Sequence, residues 1–270
     1  MLWCFGVVTA AYHSTVTHGL QHRHASSVSL VAGLASTEWV VSEGAARLLQ
    51  VSTPLASQVL FLSPLHAMEK FREEGTRDAS ALPYAAMVAN GAAWCAYGAS
   101  APSTPDMTIL LGNAGGVAFG LYYCYTFYKH MSPGSDGPML FAGALSVVVA
   151  SLAAAATLPV QTVHDVAGFA GVGFCVLMFS GPLASVQVIL RSCSASSLPM
   201  GFTLATVLNC VLWCTYGAAV IHDPLVWGPN GAGLVASATQ LGLYSKYGGN
   251  EEGCDLYEEG SWLPPQAGAR

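Results

Sequence analysis

Residues 208–217 read Leu-Asn-Cys-Val-Leu-Trp-Cys-Thr-Tyr-Gly, and residues 89–98 read Ala-Asn-Gly-Ala-Ala-Trp-Cys-Ala-Tyr-Gly. The Asn, Trp and Tyr-Gly fall in register. Working outward, the same landmarks recur in the same order on both sides. Leu-Ser-Pro (62–64) and Leu-Pro (82–83) precede the first stretch, as Ser-Gly-Pro (180–182) and Leu-Pro (198–199) precede the second. Asp106, Asn113 and Lys129 follow the first, and Asp223, Asn230 and Lys246 follow the second at one constant spacing. The chain therefore carries one unit twice, over residues 62–129 and 180–246.

Composition says what surrounds these units. Of 270 residues 53% are hydrophobic and only 9% charged, against roughly 25% charged in a soluble domain, so the charges are too few to wet an aqueous surface. Windows without Asp, Glu, Lys or Arg run 48–68, 79–105, 107–128, 137–164, 166–190, 192–222 and 224–245. Each is long enough for a spanning helix, which takes about 20 residues, and none shows the alternation of a barrel strand. The predicted fold is all-α and transmembrane, with seven helices. Each copy takes three, and a helix at about 138–158 is left between them as a linker, giving a 3+1+3 layout. The odd helix makes the copies parallel, and such repeats place a shared site between them near mid-membrane.

The expected organisation is an extension of unknown structure (1–43), a first three-helix repeat (44–129), the linker (130–162), a second repeat (163–247) and a disordered cytosolic tail (248–270). Residues 1–22 lack charge but are diluted by His13, His18 and His22 and have no basic start, so no eighth helix is counted. Lys70, Arg72, Arg77, Lys129, Arg191 and Lys246 all fall at one end of a seven-helix path. The positive-inside rule makes that end cytosolic, with the N-terminus outside and the C-terminus inside.

Cys95, Cys124, Cys175, Cys210 and Cys214 lie inside apolar windows, where reduced Cys packs as a small hydrophobe. Cys210 and Cys214, one turn apart, have no His or acidic companion, and neither a metal nor another cofactor is expected. No basic patch suits nucleic acid. The windows also lack a mid-helix lysine for a retinal Schiff base, paired carboxylates, and a Ser/His pair. An enzyme is not expected, and a parallel duplication does not suit a seven-helix receptor.

Leu-Pro-Tyr (82–84), Asn90 with Trp94, Tyr97-Gly98 and Asn113, together with Ser-Leu-Pro (197–199), residues 208–217 and Pro-Asn-Gly-Ala-Gly (229–233), resemble the SWEET sugar transporters. The resemblance covers about residues 44–247. It implies bidirectional passage of mono- or disaccharides down a gradient by alternating access; the expected location of this multi-pass protein is the plasma membrane. It also implies lateral association into homo-oligomers within the lipid. Two departures stand out. Residues 64–68 read Pro-Leu-His-Ala-Met, where the family usually has Pro-Val-Pro-Thr-Phe, and the N-terminal extension has no counterpart.

The candidate site residues follow from the repeat and the resemblance together. Asn113 and Asn230 bring amides, with both donors and an acceptor, to match the mixed hydroxyls of a sugar. Trp94 and Trp213 offer flat faces for the C–H side of a pyranose ring. Asn90 and Asn209 lie one turn before each Trp on the same face, and Leu60 and Met178 precede the prolines by one turn. The resemblance implies that these last four narrow the pocket, and their size leads to an expected preference for hexoses over sucrose. Pro64, Pro83, Pro182 and Pro199 are expected as hinges of an inner gate, since proline removes a backbone bond; Pro83 and Pro199 also suit helix starts. Tyr97 and Asp223 are expected to latch the outer mouth. No Asp, Glu, Lys or Arg lies within the seven windows and their histidines lie near the ends, so passive uniport is the expected mode. The alternatives are a repeat transporter of another small neutral solute and a membrane interaction protein that transports nothing.

Overall fold

The computed structural model describes residues 41–77, 79–178, 180–196 and 198–248; the N-terminal extension as far as residue 40 and the tail after 248 lie outside them. Among the described residues the chain forms nine helical segments: α1 (Glu43–Leu62), α2 (Leu65–Glu74), α3 (Leu82–Ala99), α4 (Met107–His130), α5 (Gly137–Thr157), α6 (Val160–Met178), α7 (Ser180–Ser192), α8 (Met200–Ala219) and α9 (Pro224–Tyr247). They make seven spans, because α1 and α2 are two parts of one span, as are α6 and α7. This is a multi-pass integral membrane protein with the 3+1+3 layout.

Local chemistry sets the ends. Ser42 caps α1 through its Oγ, which accepts from the Ala45 amide at 3.3 Å. Asp106 and Asp223 cap α4 and α9 with their carboxylates, supplying acceptors to amides that have no helical partner. Proline occupies the first turn of α3, α5 and α9, where its missing N–H costs nothing. Pro64 separates α1 from α2 with φ −76° and ψ −4°. The Tyr123 hydroxyl donates to the Phe61 carbonyl beside that break at 2.6 Å, and such a side-chain partner is what lets a broken helix persist in hydrocarbon.

Five segments are long and apolar enough by composition alone to cross a membrane: Glu43–Glu74, Met107–His130, Gly137–Thr157, Val160–Met178 and Met200–Ala219. The expectation of seven spans still holds in the fold: α3 is screened by its neighbours, and α9, at 24 residues, is long enough to cross. Most of α3 is buried, Asn90 included, and α9 buries Ser237 and Gln240. A helix enclosed by protein has little need of an apolar surface. One boundary differs from the sequence expectation. The fifth span starts at Val160, so His164 and Asp165 lie inside its first turns, where Gln161 Nε2 donates to Asp165 Oδ1 at 2.9 Å.

In each repeat the third span packs against the other two: α4 against α1, α2 and α3, and α9 against α6, α7 and α8. The linker α5 lies mainly on α3. The repeats meet through α3 with α6 and α1 with α8, the second span of one against the first span of the other, as a two-fold axis along the membrane normal requires. Small contacts repeat as well. The Asp106 amide donates to the Gly98 carbonyl at 2.8 Å and the Asp223 amide to the Gly217 carbonyl at 2.7 Å. At Gly98 a Cβ would lie 3.0 Å from the Leu110 nitrogen, and at Gly217 it would lie 2.8 Å from that of Trp227. The repeated Tyr-Gly thus marks close contact between neighbouring spans.

The cores divide by depth. One cluster, with Trp94, Tyr97, Ile109, Trp213, Tyr216 and Leu225 at its centre, draws on both repeats. The clusters at the basic end each belong to one side: Met68, Phe71, Met87, Tyr123 and Phe127 to the first repeat, and Ile189, Ala195 and Leu198 to the second. The halves are welded at one end and packed separately at the other.

Candidate substrate pathway between the repeats

Beneath the shared cluster the repeats build the same small network twice. On one side Trp213 Nε1 donates to Ser57 Oγ at 2.9 Å, and Ser57 Oγ donates to Asn209 Oδ1 at 3.0 Å. On the other, Trp94 Nε1 donates to Asn90 Oδ1 at 3.2 Å, and Cys175 Sγ donates to the same oxygen at 3.4 Å. Ser57 on α1 and Cys175 on α6 occupy matched places, and each reaches across to the second span of the other repeat. Both indoles are buried, Trp94 at 5% exposure and Trp213 at 6%, so their ring faces are covered in this state. A Cβ at Gly171 would sit 2.7 Å from the Trp94 ring, and one at Gly112 would sit 2.6 Å from the Trp213 ring. Glycine there leaves the indoles room to approach α6 and α4 closely.

Asn113 and Asn230 are half-buried, and each Nδ2 donates to the carbonyl one turn back, Ile109 at 2.9 Å and Val226 at 2.8 Å. That bond leaves Oδ1 without a partner among the described residues. Leu60 and Met178 are half-buried one turn from Ser57 and Cys175 toward the basic end. These candidate residues are all neutral, polar or apolar.

Above the indoles lie two hydrogen-bonded latches. The Tyr97 hydroxyl donates to Asp223 Oδ2 at 2.5 Å, and the Tyr216 hydroxyl donates to Asp106 Oδ2 at 2.8 Å. Each joins the second span of one repeat to the third span of the other. The same aspartates use Oδ1 to cap their helices: Asp106 accepts from the Thr108 and Ile109 amides at 2.9 and 3.0 Å, and Asp223 accepts from the Leu225 amide at 2.9 Å. Those cap bonds fix the orientation of each carboxylate independently of its tyrosine. Each tyrosine also stands edge-on to its own tryptophan, with centroids 5.4 Å apart for Trp94–Tyr97 and 6.0 Å for Trp213–Tyr216. Outside the latches a vestibule of about 870 Å³ is lined by Gln50, Gln161, His164, Asp165 and His222. His164 breaks the symmetry. Its ring stacks on Tyr97 at 3.9 Å with 17° between planes, and its Nδ1 lies 3.1 Å from the Tyr97 carbonyl.

The prolines divide into two kinds. Pro64 lies at the break between α1 and α2, and Pro182 is the third residue of α7, just past the junction with α6. Pro83 lies in the first turn of α3 and Pro199 is the N-cap of α8, so these two start helices. Thus Trp94, Trp213, Asn90 and Asn209 come together in two networks, Tyr97 meets Asp223, and Asn113 and Asn230 are bonded within their own helices. Sequence reasoning missed the second latch, Tyr216–Asp106, although the repeat that matches Tyr97 to Tyr216 and Asp106 to Asp223 contained it. It also missed Ser57 and Cys175, whose side chains differ between the copies.

A duplicated bundle that is shut at one end and holds uncharged polar groups on its axis belongs to the class of membrane transporters built from parallel repeats. Comparison with known proteins narrows the class. The family described as "Sugar efflux transporter for intercellular exchange" matches the chain twice, over residues 47–134 and 165–252. Bidirectional sugar transporter SWEET4 of Arabidopsis thaliana is 31% identical over 206 residues, covering 71% of this chain and 78% of the relative. The protein of the same name from rice (Oryza sativa subsp. japonica) is 28% identical over 194 residues, covering 70% and 74%. A solved eukaryotic SWEET transporter superposes with a TM-score of 0.64 at 25% identity, covering 76% of this chain and 99% of its own. The chain belongs to the SWEET family.

Proposed function

We propose that this protein lets sugars cross a membrane passively and in both directions, by alternating access between the two repeats. The observation that carries the reading is the doubled, neutral Trp–Asn network closed on one side by doubled latches. A sugar needs flat apolar faces for its ring and mixed donors and acceptors for its hydroxyls, and both stand here on each side of one axis. Its relatives' names, bidirectional sugar transporters, support the same substrate class. Among the described residues, His164 and Asp165 sit at the vestibule, on the far side of the latches from the networks. A proton relay along the pathway would need such groups at the depth of the networks, so coupling is not part of the reading.

The latched end is the outer one in this reading, because the basic residues gather at the other, so the latches hold the outer mouth shut. The C-terminus is cytosolic, and the plasma membrane is the proposed location. In this cycle Asn113, Asn230 and the two tryptophans hold the sugar, Pro64 and Pro182 let α2 and α7 swing, and the latches break when the outside opens. Pro83 and Pro199 act at the ends of α3 and α8 that turn against those segments. Asn90, Asn209, Leu60 and Met178 are all sizeable, which favours a hexose such as glucose over a disaccharide.

The test is labelled-glucose uptake and efflux in cells lacking hexose transporters, beside an Asn113→Ala, Asn230→Ala double variant. Transport in both directions by the natural chain, lost in the variant at equal surface abundance, supports the reading. Undiminished transport in the variant would remove these residues from the pathway, and no transport by either chain would contradict the substrate class.

A further inference from the structure

The face of the bundle turned from the pathway carries a second feature. A groove of about 240 Å³ runs along the bilayer-facing surface between α4 and α5. Leu121, Tyr125 and Tyr128 of α4 form one wall and Phe141 and Leu145 of α5 the other, while the small side chains of Cys124 and Ala144 leave the floor low. The groove exists because α5 packs mainly on α3 and only lightly on α4. It is open to lipid: Tyr125 is 62% exposed, Tyr128 53% and Leu145 50%. In a bilayer such a space is filled by some lipid component.

The arrangement of polar groups says which one. The neighbouring tyrosines are satisfied within the protein, Tyr122 by Arg72 at 2.6 Å and Tyr123 by the Phe61 carbonyl at 2.6 Å. The hydroxyls of Tyr125 and Tyr128 have no protein partner among the described residues. Tyr125 lies five residues from the end of α4, about 7 Å into the span at 1.5 Å per residue, and a polar group at that depth gains from a hydrogen bond. Lys129 and His130 stand at the basic end of the groove, whereas its deeper end, at Leu121 and Leu145, is wholly apolar. Leu121, Tyr125 and Lys129, each four residues after the last, also fit the Leu/Val–Tyr–Lys/Arg spacing proposed for sterol contact, a weak pattern by itself. Here it coincides with the groove: Leu121 and Tyr125 line it and Lys129 marks its polar end. A flexible acyl chain would lose rotamer freedom on settling in a slot between two helices, whereas a flat, rigid ring system loses little.

We infer that this groove binds a membrane sterol, its rings between the α4 tyrosines and Phe141 and Leu145, its hydroxyl toward Tyr128 and the basic end. The test uses the whole chain in phosphatidylcholine vesicles carrying a photoactivatable cholesterol, with adducts mapped by mass spectrometry. Adducts should fall on residues 121–128 and 141–145 and disappear under excess cholesterol. They should drop about tenfold or more, the result of losing roughly 1.4 kcal/mol of binding, when Ala144→Phe raises the groove floor. If Ala144→Phe fails to insert, Tyr125→Phe with Tyr128→Phe keeps the rings and removes the hydroxyls. That variant should erase any preference for cholesterol over its 3-epimer. Adducts spread over every lipid-facing helix, or displaced equally well by excess phospholipid, would overturn the inference and leave ordinary boundary lipid. Chain-to-chain cross-links through Leu145→Cys at the expense of sterol adducts would overturn it in favour of a second copy of this chain.

Discussion

Removing the hydroxyls of Tyr97 and Tyr216, singly and together, tests whether the two latches hold the mouth shut. Tyr→Phe is the clean change. The ring keeps its edge contact with tryptophan and, for Tyr97, its stack on His164, and the aspartate keeps its helix cap. Mutating Asp106 or Asp223 would remove the cap as well, at about 0.5–2 kcal/mol. A hydrogen bond to a charged group contributes about 1.5–3 kcal/mol. Both aspartates are half-buried, so the lower figure applies, which is about a tenfold change in an equilibrium. Each variant should raise the fraction open at the latched end about tenfold. The double variant should raise it about a hundredfold if both latches break in one transition. Cys175 reports this directly. It lies fifteen residues from the start of α6 at that end, about 22 Å down, below the latches. In a chain keeping Cys175 as its only cysteine, labelling by a membrane-impermeant maleimide from the latched side should quicken by these factors. Labelling unchanged in the double variant would show that something other than the latches seals the mouth, and acceleration by one variant alone would leave the other latch without a role.

The remaining expectations concern the networks. Asn90→Ser with Asn209→Ser should widen the pathway and raise sucrose uptake relative to glucose, measured by competition in the same cells; an unchanged ratio would detach these positions from size selection. Gly171→Val should force the Trp94 ring aside, because even a Cβ there lies 2.7 Å from it. Glucose uptake should then fall at least about tenfold while the chain still reaches the membrane, and normal uptake would show that the indole position does not matter. Ser57→Ala leaves Trp213 Nε1 and Asn209 Oδ1 without their shared hydroxyl. At about 1–3 kcal/mol for unsatisfied buried groups, it should lower the thermal midpoint in detergent, and an unchanged midpoint would mean the network has already rearranged.

The spans were legible because the surrounding solvent leaves so little choice: a charge-free window of sufficient length is a helix whatever its details. The linker helix fell within a residue of its expected position, since Pro138 and the Leu158-Pro159 turn bound it. The fifth span began earlier than its window, because Asp165 sits near the boundary with a Gln161 partner and is tolerated there. The Tyr97–Asp223 contact was expected from the place of both residues at the outer ends of their spans and from the family resemblance, and the repeat carries the same pairing to Tyr216–Asp106. Ser57 and Cys175 were not legible. Nothing in a one-dimensional pattern marks a serine whose partner is 152 residues away, and the two copies hold different side chains at that place. His164 escaped for a related reason: its stacking on Tyr97 breaks the very symmetry that made the rest readable.

The measurement that bears most directly on passive sugar passage between the repeats is glucose flux in vesicles containing only this protein and lipid. Preloaded vesicles should release labelled glucose, and empty ones should take it up, until the concentrations match and no further. Both rates should be indifferent to an imposed pH gradient and abolished by the Asn113→Ala, Asn230→Ala change. Accumulation beyond equality when protons flow inward, or flux that survives the loss of both amides, would contradict the account.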